Sequence, residues 1–322
     1  MYFHHWTPAA ALSLCTLGML GANAQPYPAK PIRMIVPFPP GGGTDATARI
    51  LTQALAETAG WQLVVENRPG ATGRIGTEFA ARAPADGYTL LLGTAGPNAI
   101  LPSTRVKLAY DAVKDFAPVS LIDSADYALV AHPSAPIRTV KDLIALAQSR
   151  PGQITFASAG NLSVAHLAGE FFKQFAKIDI THVPYKGGGP AVVATLSGET
   201  ALYFGGPSVV HQSKAGKLRA IATTGAKRSK IFPELPAIAE TLPGYEISQW
   251  VGVLAPAGTP RDIVTTIHTT FVKAINSAKV AQQFAAAGSQ PVGNSPEEFA
   301  AHIKAEIAKW QKVMGGLKVQ ID

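Results

Sequence analysis

Apolar residues along this chain fall into two alternating patterns. Short, nearly unbroken apolar runs recur at 32–37, 63–65, 88–92, 154–157, 182–185, 201–204 and 218–223, as expected of strands buried on both faces. Between them, apolar positions recur at helical spacing. Ala46, Ile50, Leu51, Ala54 and Leu55 predict a helix over 46–58, and positions 164, 167, 168, 171, 172 and 175 predict one over 164–175. Shorter helices are predicted over 76–82 and 190–196, and Pro84-Ala85-Asp86-Gly87 reads as a turn. Strands alternating with helices imply parallel sheets, here in two α/β units of similar size.

The C-terminal part is helical. Thr259-Pro260 supplies an N-cap and a first-turn proline for a helix reaching about residue 286. Ser295-Pro296-Glu297-Glu298 is a capping box that opens a helix to 314. Three more apolar strands, "PVSLI", "YALVAHP" and "WVGVLAP", lie within 116–136 and 245–256, each beside a switch between the units. Two crossings make the second unit an insertion in the first. The expected architecture is two lobes around a cleft, with lobe 1 built from 25–124 and 248–322 and lobe 2 from 125–247.

The N-terminus changes the compartment. Residues 9–20 form an apolar run too short to span a bilayer, and Ala22-Asn23-Ala24 has the small-x-small form of a cleavage site. Residues 1–24 therefore read as an export signal, atypical in carrying His4 and His5 but no Lys or Arg, with Gln25 opening the mature chain. Cys15 is the only cysteine and lies inside that signal, in a setting that resembles a lipoprotein acylation box only loosely. A mature chain without a thiol has no disulfide, thiolate ligand or Cys nucleophile. The net charge of +7 comes without a basic run longer than Lys227-Arg228 and without interleaved aromatics, which argues against nucleic acid. A mild positive field suits a small anion, and equally a solvated surface.

Five loops carry the candidate chemistry. "PFPPGGGTDATAR" (37–49) follows a strand and opens a helix, and Gly41-Gly42-Gly43-Thr44-Asp45-Ala46 matches G-x-G-x-x-A, with Glu66 20 residues beyond as a ribose-binding acid would be. Pro37, Pro39 and Pro40 separate that strand from the glycines, which weakens the dinucleotide reading, and G-x-x-x-x-G-K-[ST] is absent. The physical content survives: glycines expose backbone N–H groups, and a helix start leaves donors unpaired with partial positive charge, a site for a carboxylate as readily as a phosphate. Thr44 or Asp45 is expected to cap that helix. A tight turn without a ligand is the plain alternative. "GTAGPNAI" (93–100), "ASAGNLSVAHLAGE" (157–170, with Asn161 or Ser163 as N-cap), "PYKGGGPA" (184–191) and "FGGPS" (204–208) repeat the device, all beyond C-terminal strand ends, where open α/β sheets bind ligands.

At these residues the chain resembles a known family. "YPAKPIRMIVPFPPGGGTDATAR", "ENRPGATGRIGTEFAARAPADGYTLLLGT", "ASAGNLSVAHLAGE", "VPYKGGGPA", "FPELPAIAETLPGYE" and "WVGVLAPAGTP" are similar to the extracytoplasmic solute-binding receptors of tripartite tricarboxylate transporters, the Bug family, from about residue 26 to the C-terminus. The resemblance implies a type 2 periplasmic-binding-protein fold and a small carboxylate held between lobes by backbone groups, hydroxyls and bridging waters. It also implies capture that closes the lobes and presents the receptor to membrane subunits. It implies a periplasmic, non-enzymatic protein, expected to be monomeric, with no cofactor or metal. Carried over, lobe 1 offers Pro39, Gly41, Gly42, Gly43, Asp45, Thr94, Ala95 and Asn98. Lobe 2 offers Ser158, Ala159, Gly160, Ser163, His166, Tyr185, Lys186, Gly187, Gly205 and Pro207. Asp45 reads as a buried acceptor that orders its loop. "LSGETALYFGG" departs from the family pattern, with Ala201 where an Asp is common, which bears on ligand identity.

Catalytic alternatives are thin. A secreted hydrolase would draw on Ser163 and His166, but their spacing suits capping better than proton transfer, and G-x-S-x-G is absent. His132, His166, His182, His211, His268 and His302 show no metal spacing. His166 is expected to be a hydrogen-bonded structural histidine, and Trp250 and Trp310 core residues. Phe38 suits the pocket and the lobe interior equally. Apart from Arg49 at the end of the first stretch, Lys186 is the only cation within the five loops, with Arg74 near by, which suits one or two carboxylates better than three. A receptor that senses without transporting fits the same residues.

Overall fold

The computed structural model describes residues 1, 2 and 27–316. Residues 3–26, with most of the expected signal, Cys15 and Gln25, lie outside them. In chain order the elements are β1 (Ile32–Val36), α1 (Gly43–Ala59), β2 (Leu63–Asn67), α2 (Arg74–Ala81), β3 (Thr89–Thr94), β4 (Phe116–Asp126), β5 (Ala128–Ala131), α3 (Val140–Ser149), β6 (Thr155–Ser158), α4 (Val164–Ala176), β7 (Thr181–Pro184), α5 (Gly188–Leu196), β8 (Leu202–Gly205), α6 (Ser208–Lys214), β9 (Arg219–Thr223), β10 (Ser248–Pro256), α7 (Arg261–Ile275), α8 (Ala278–Ala287), β11 (Gln290–Pro291) and α9 (Pro296–Gly316). Most of the expected strands and helices stand within a few residues of their predicted bounds.

Three expectations are corrected. The first helix begins at Gly43 rather than 46, with Gly42 as N-cap and no side-chain cap, because the Asp45 carboxylate turns back to the loop instead of capping. The helix expected over 260–286 is two helices. Asn276 ends α7, and Ser277 starts α8 by accepting the Val280 N–H at 3.4 Å. Thr259 is not the N-cap of α7: Pro260 is, and the Thr259 hydroxyl donates to the Pro256 carbonyl instead. The Ser295 box stands as expected, with Ser295 N–H donating to Glu298 and Glu298 N–H donating to Ser295 Oγ.

The strands form two sheets, ordered β11-β4-β10-β3-β1-β2 and β7-β6-β8-β5-β9. Each has a parallel part (β1 with β2 and β3; β6 with β7 and β8) and an antiparallel part around a strand at a crossing, β10 in one and β5 in the other. Both faces of the central strands are covered, hence the continuous apolar runs. Ile32, Met34 and Val36 pack with Leu51, Leu55, Ile267 and Phe271, while Ile35 and Leu91 lie on the side of Trp250, Phe299 and Trp310.

The chain passes between sheets twice. Asp126 ends β4 and Ala128 starts β5 with only Tyr127 between them, and Ile247 leads the chain back into β10. Thr224, fully buried, ties both passages: its Oγ1 accepts the Tyr127 N–H at 2.8 Å and donates to the Ile247 carbonyl at 2.6 Å. This compact pair of crossings leaves the strand-end loops of the two sheets facing one another.

Candidate functional site

The glycine loop on β1 is shaped from within. Asp45 is 2% exposed and accepts the Gly41 N–H (3.0 Å), Asn67 Nδ2 (3.0 Å) and Arg49 Nε (2.8 Å). Burial pushes its carboxyl up, but the bonds from Arg49, Gly41 and Asn67 outweigh that and hold it below the usual carboxylate range. Gly41 sits at φ +82°, a conformation glycine adopts without penalty. A Cβ added at Gly41 or Gly43 would meet nothing within 4 Å, and one at Gly42 only the Pro39 carbonyl at 3.7 Å. The backbone here borders open space. Glu66 is not a ribose acid: its two oxygens are taken by Arg33 (2.6 Å) and Arg68 (2.6 Å).

At the end of β3 the chain makes a wide helical turn over 96–100, all of it buried. Asn98 Oδ1 accepts the Thr94 N–H at 3.2 Å, and Ala95 is fully buried between them in sequence. Asn98 Nδ2 and Thr94 Oγ1 are buried without a hydrogen-bond partner. Such groups are rare in folded proteins and call for a ligand or water.

The loops of the second sheet adjoin each other. Tyr185 N–H donates to the Ser158 carbonyl at 3.0 Å, and a Cβ on Gly160 would lie 3.2 Å from the Tyr185 carbonyl. Ser163 caps α4 by accepting the His166 backbone N–H at 3.2 Å, while the His166 ring accepts the Leu162 N–H at Nδ1 (3.0 Å). Serine and imidazole thus face different partners, and the hydrolase pair is not formed. Ala159 and Gly187 are half-buried and Lys186 is exposed. The Tyr185 hydroxyl donates to Glu199 at 2.7 Å, and burial together with that carboxylate pushes it up to about 12. Gly205 has a packing reason, since a Cβ would collide with Tyr203 and Val209.

Contacts also join the lobes beside these loops. Thr72 Oγ1 donates to the Asn161 carbonyl at 3.2 Å. Thr72 is also next to the lobe-1 turn, its carbonyl 3.6 Å from where a Gly96 Cβ would stand, with Thr94 Oγ1 at 4.0 Å from the same point. Elsewhere Pro207 rests on Gly288, where a Cβ would come within 2.1 Å of the Pro207 Cβ. Thr72 was missed by sequence reasoning. Its signal is the flanking Gly70 and Gly73 in a run of four consecutive left-handed residues, 70–73. Leu162 and His182 were missed as well, and carry no local signal.

Two surface depressions, about 430 and 250 Å³, lie at the opposite end of the second sheet, around Pro133 and Arg219 and around His132 and Ala201. The second is reached by the Tyr185 hydroxyl through Glu199, and neither has a buried, unpartnered donor among the described residues. Ala201 belongs to that far end. It precedes β8, donates its N–H to Thr155 Oγ1 (3.1 Å) and accepts the His132 N–H (2.9 Å), so the departure from the family pattern lies at the strand entry and not in the loops.

The chain is similar to several known proteins. A family model described as the tripartite tricarboxylate transporter family receptor, TctC, matches residues 47–318. Protein BugT of Bordetella pertussis is 40% identical over 295 residues, covering 91% of this chain and 90% of its own. A solved structure of R. palustris Rpa4515 with adipate is similar at a TM-score of 0.86 and 37% identity, covering 90% of this chain and 97% of that one. The periplasmic binding protein BugD is similar at 0.84 and 31%, covering 91% and 99%. The two-lobed α/β architecture is therefore that of periplasmic binding proteins. With the family model spanning most of its length, this chain belongs to the tripartite tricarboxylate transporter receptor family.

Proposed function

We propose that this protein is an extracytoplasmic receptor that captures a compound with one or two carboxylates between its lobes. It then hands that compound to the membrane subunits of a tripartite transporter. Its lobes are 25–124 with 248–322 and 125–247, it acts as a monomer, and residues 1–24 direct its export to the periplasm. Among the described residues no helix is long and apolar enough to cross a membrane. The site is built from the eighteen residues named above, with Gly41–Gly43, Thr94 and Asn98 on one wall and Ser158–Gly160, Ser163 and Gly187 on the other, and with Asp45 ordering its loop rather than touching the ligand. A ligand that touches both walls only when they approach has differential affinity for the closed state and shifts the population toward it.

The observation that carries this reading is the pair of buried donors without partners, Thr94 Oγ1 and Asn98 Nδ2, beside the Thr72–Asn161 contact between lobes. The adipate held by Rpa4515 supports the ligand class. The test is a thermal-shift and calorimetric screen of mono-, di- and tricarboxylates, adipate, succinate and citrate included. Ligand at about 100 times Kd adds about 2.7 kcal/mol of stability. Asn98→Ala and Gly42→Val should each weaken the best binder at least about tenfold, since the first removes a donor and the second obstructs the backbone. A screen without any shift, or turnover of a bound compound, would overturn the proposal.

A further inference from the structure

Loop 158–163 is held in a conformation its own residues resist. Leu162 stands at φ +59°, and a non-glycine residue there costs about 1–3 kcal/mol. The loop must be over-determined by its surroundings, and two histidines do this. His166 Nδ1 accepts the Leu162 N–H at 3.0 Å, which fixes His166 as the neutral ring with its proton on Nε2. His182 Nε2 lies 2.6 Å from Ser158 Oγ, and that oxygen in turn accepts the Gly160 N–H at 3.1 Å. The two imidazoles lie flat on one another, centroids 3.9 Å apart and planes 16° apart, and Phe156 covers His182 at 5.0 Å. One ring grips the end of the loop and the other its beginning, and the stack fixes the distance between them.

We infer that His182 is a positioning residue for ligand capture: through Ser158 and His166 it sets the shape in which loop 158–163 presents its amides. This rests on the reading that the loop forms one wall of the carboxylate site. The stack also protects the acceptor. Protonating His166 turns Nδ1 into a donor against the Leu162 N–H, and a second charged ring cannot sit 3.9 Å away. The other charged groups facing the pair are on or beside α4: Lys173 disfavours charge on both rings and is itself paired with Glu170 (3.1 Å) and Asp179 (3.9 Å). β6 contributes Ser158 and Phe156, neither charged. Burial foremost, then His182 and Lys173, pushes His166 down to about 3, and burial with Lys173 pushes His182 down to about 4. The loop accordingly keeps its shape throughout the neutral and mildly acidic range.

The test uses the full mature chain labelled with 15N. His182→Phe keeps a flat ring and removes the bond to Ser158, and His182→Gln restores a hydrogen-bonding atom. In the wild type the His166 ring nitrogens should report the Nε2–H tautomer at pH 5–7, and adipate affinity should change over that range only as far as the ligand's own protonation requires. In His182→Phe the Gly160 and Leu162 amide signals should move, His166 should titrate at higher pH, and adipate affinity should fall about five- to tenfold at pH 7 and further on acidification. His182→Gln should recover part of the affinity. An unchanged His166 tautomer and unshifted pH profile in His182→Phe would overturn the inference, even with weaker binding. If His182→Phe does not fold, His182→Ala takes its place: moved Gly160 and Leu162 amide signals with a His166 that titrates at higher pH support the inference, and native signals with an unshifted profile overturn it. Should Asn98→Ala and Gly42→Val abolish adipate binding while His182→Phe changes nothing, the inference alone fails. Should none of the three affect binding, the reading of the site fails and takes the inference with it.

Discussion

At the scale of single residues, the polar groups inside this protein are arranged around shared acceptors. Glu306 is 7% exposed, and one of its oxygens receives the indole N–H of both Trp250 (3.3 Å) and Trp310 (3.2 Å). Both tryptophans are core residues, as their types suggest, but each needs its N–H satisfied when buried. Glu306→Leu leaves two buried donors unpaired and should cost about 2–4 kcal/mol by urea denaturation. Retention of full stability would show that water reaches the indoles. The Glu306–Trp310 pair is legible in sequence, being four residues apart on a helix. The Trp250 partnership is not, because 56 residues separate it from Glu306. Asp45 belongs to the same class: an acid beside a glycine loop looks misplaced in sequence, and makes sense once the Gly41 N–H, Asn67 and Arg49 are seen around it.

At the scale of elements, α1 is anchored to the sheet by a buried carboxyl. Thr47 on its second turn donates to Asp123 of β4 at 2.6 Å. Burial pushes the Asp123 carboxyl up to about 7, with the Thr47 bond opposing. The sign follows from linkage. The folded protein binds this proton more tightly than the unfolded chain, whose aspartate titrates near 4. The contribution is full below about pH 4 and is lost as pH rises through about 7. Asp123→Asn keeps an acceptor for Thr47 without the charge, so it should remove that decline and be the more stable form at pH 8. Equal slopes of stability against pH in the two proteins, from chemical denaturation between pH 4 and 8, would rule this out. Element boundaries were read less well than element types. A continuous apolar period over 260–286 concealed the break at Asn276-Ser277, because amphipathic spacing can carry on across a short interruption.

At the scale of the whole molecule, function depends on how the lobes meet. Thr224 staples the two passages between sheets, and Thr72 reaches from one lobe to the Asn161 carbonyl of the other. Thr72→Val keeps the branched shape at this left-handed position and removes the donor. A neutral hydrogen bond of about 0.5–1.5 kcal/mol that holds the lobes together around the ligand should appear, once removed, as about a two- to tenfold faster dissociation of adipate, with association changed less than about twofold. Stopped-flow measurement of an unchanged dissociation rate would mean that this contact is not part of closure.

What the sequence alone determined is the set of local preferences: strands from apolar runs, helices from 3.6-residue spacing, glycine loops beyond strand ends, and two passages that make one unit an insertion in the other. These follow from side-chain size, backbone freedom and periodicity, which act over a few residues. Only the tertiary structure decided which groups are satisfied and which are left open. It gave Glu66 to two arginines, stacked His182 on His166, and left Thr94 Oγ1 and Asn98 Nδ2 without partners. Hydrogen bonding and desolvation depend on which atoms approach within about 3 Å, and those atoms come from positions far apart in the chain.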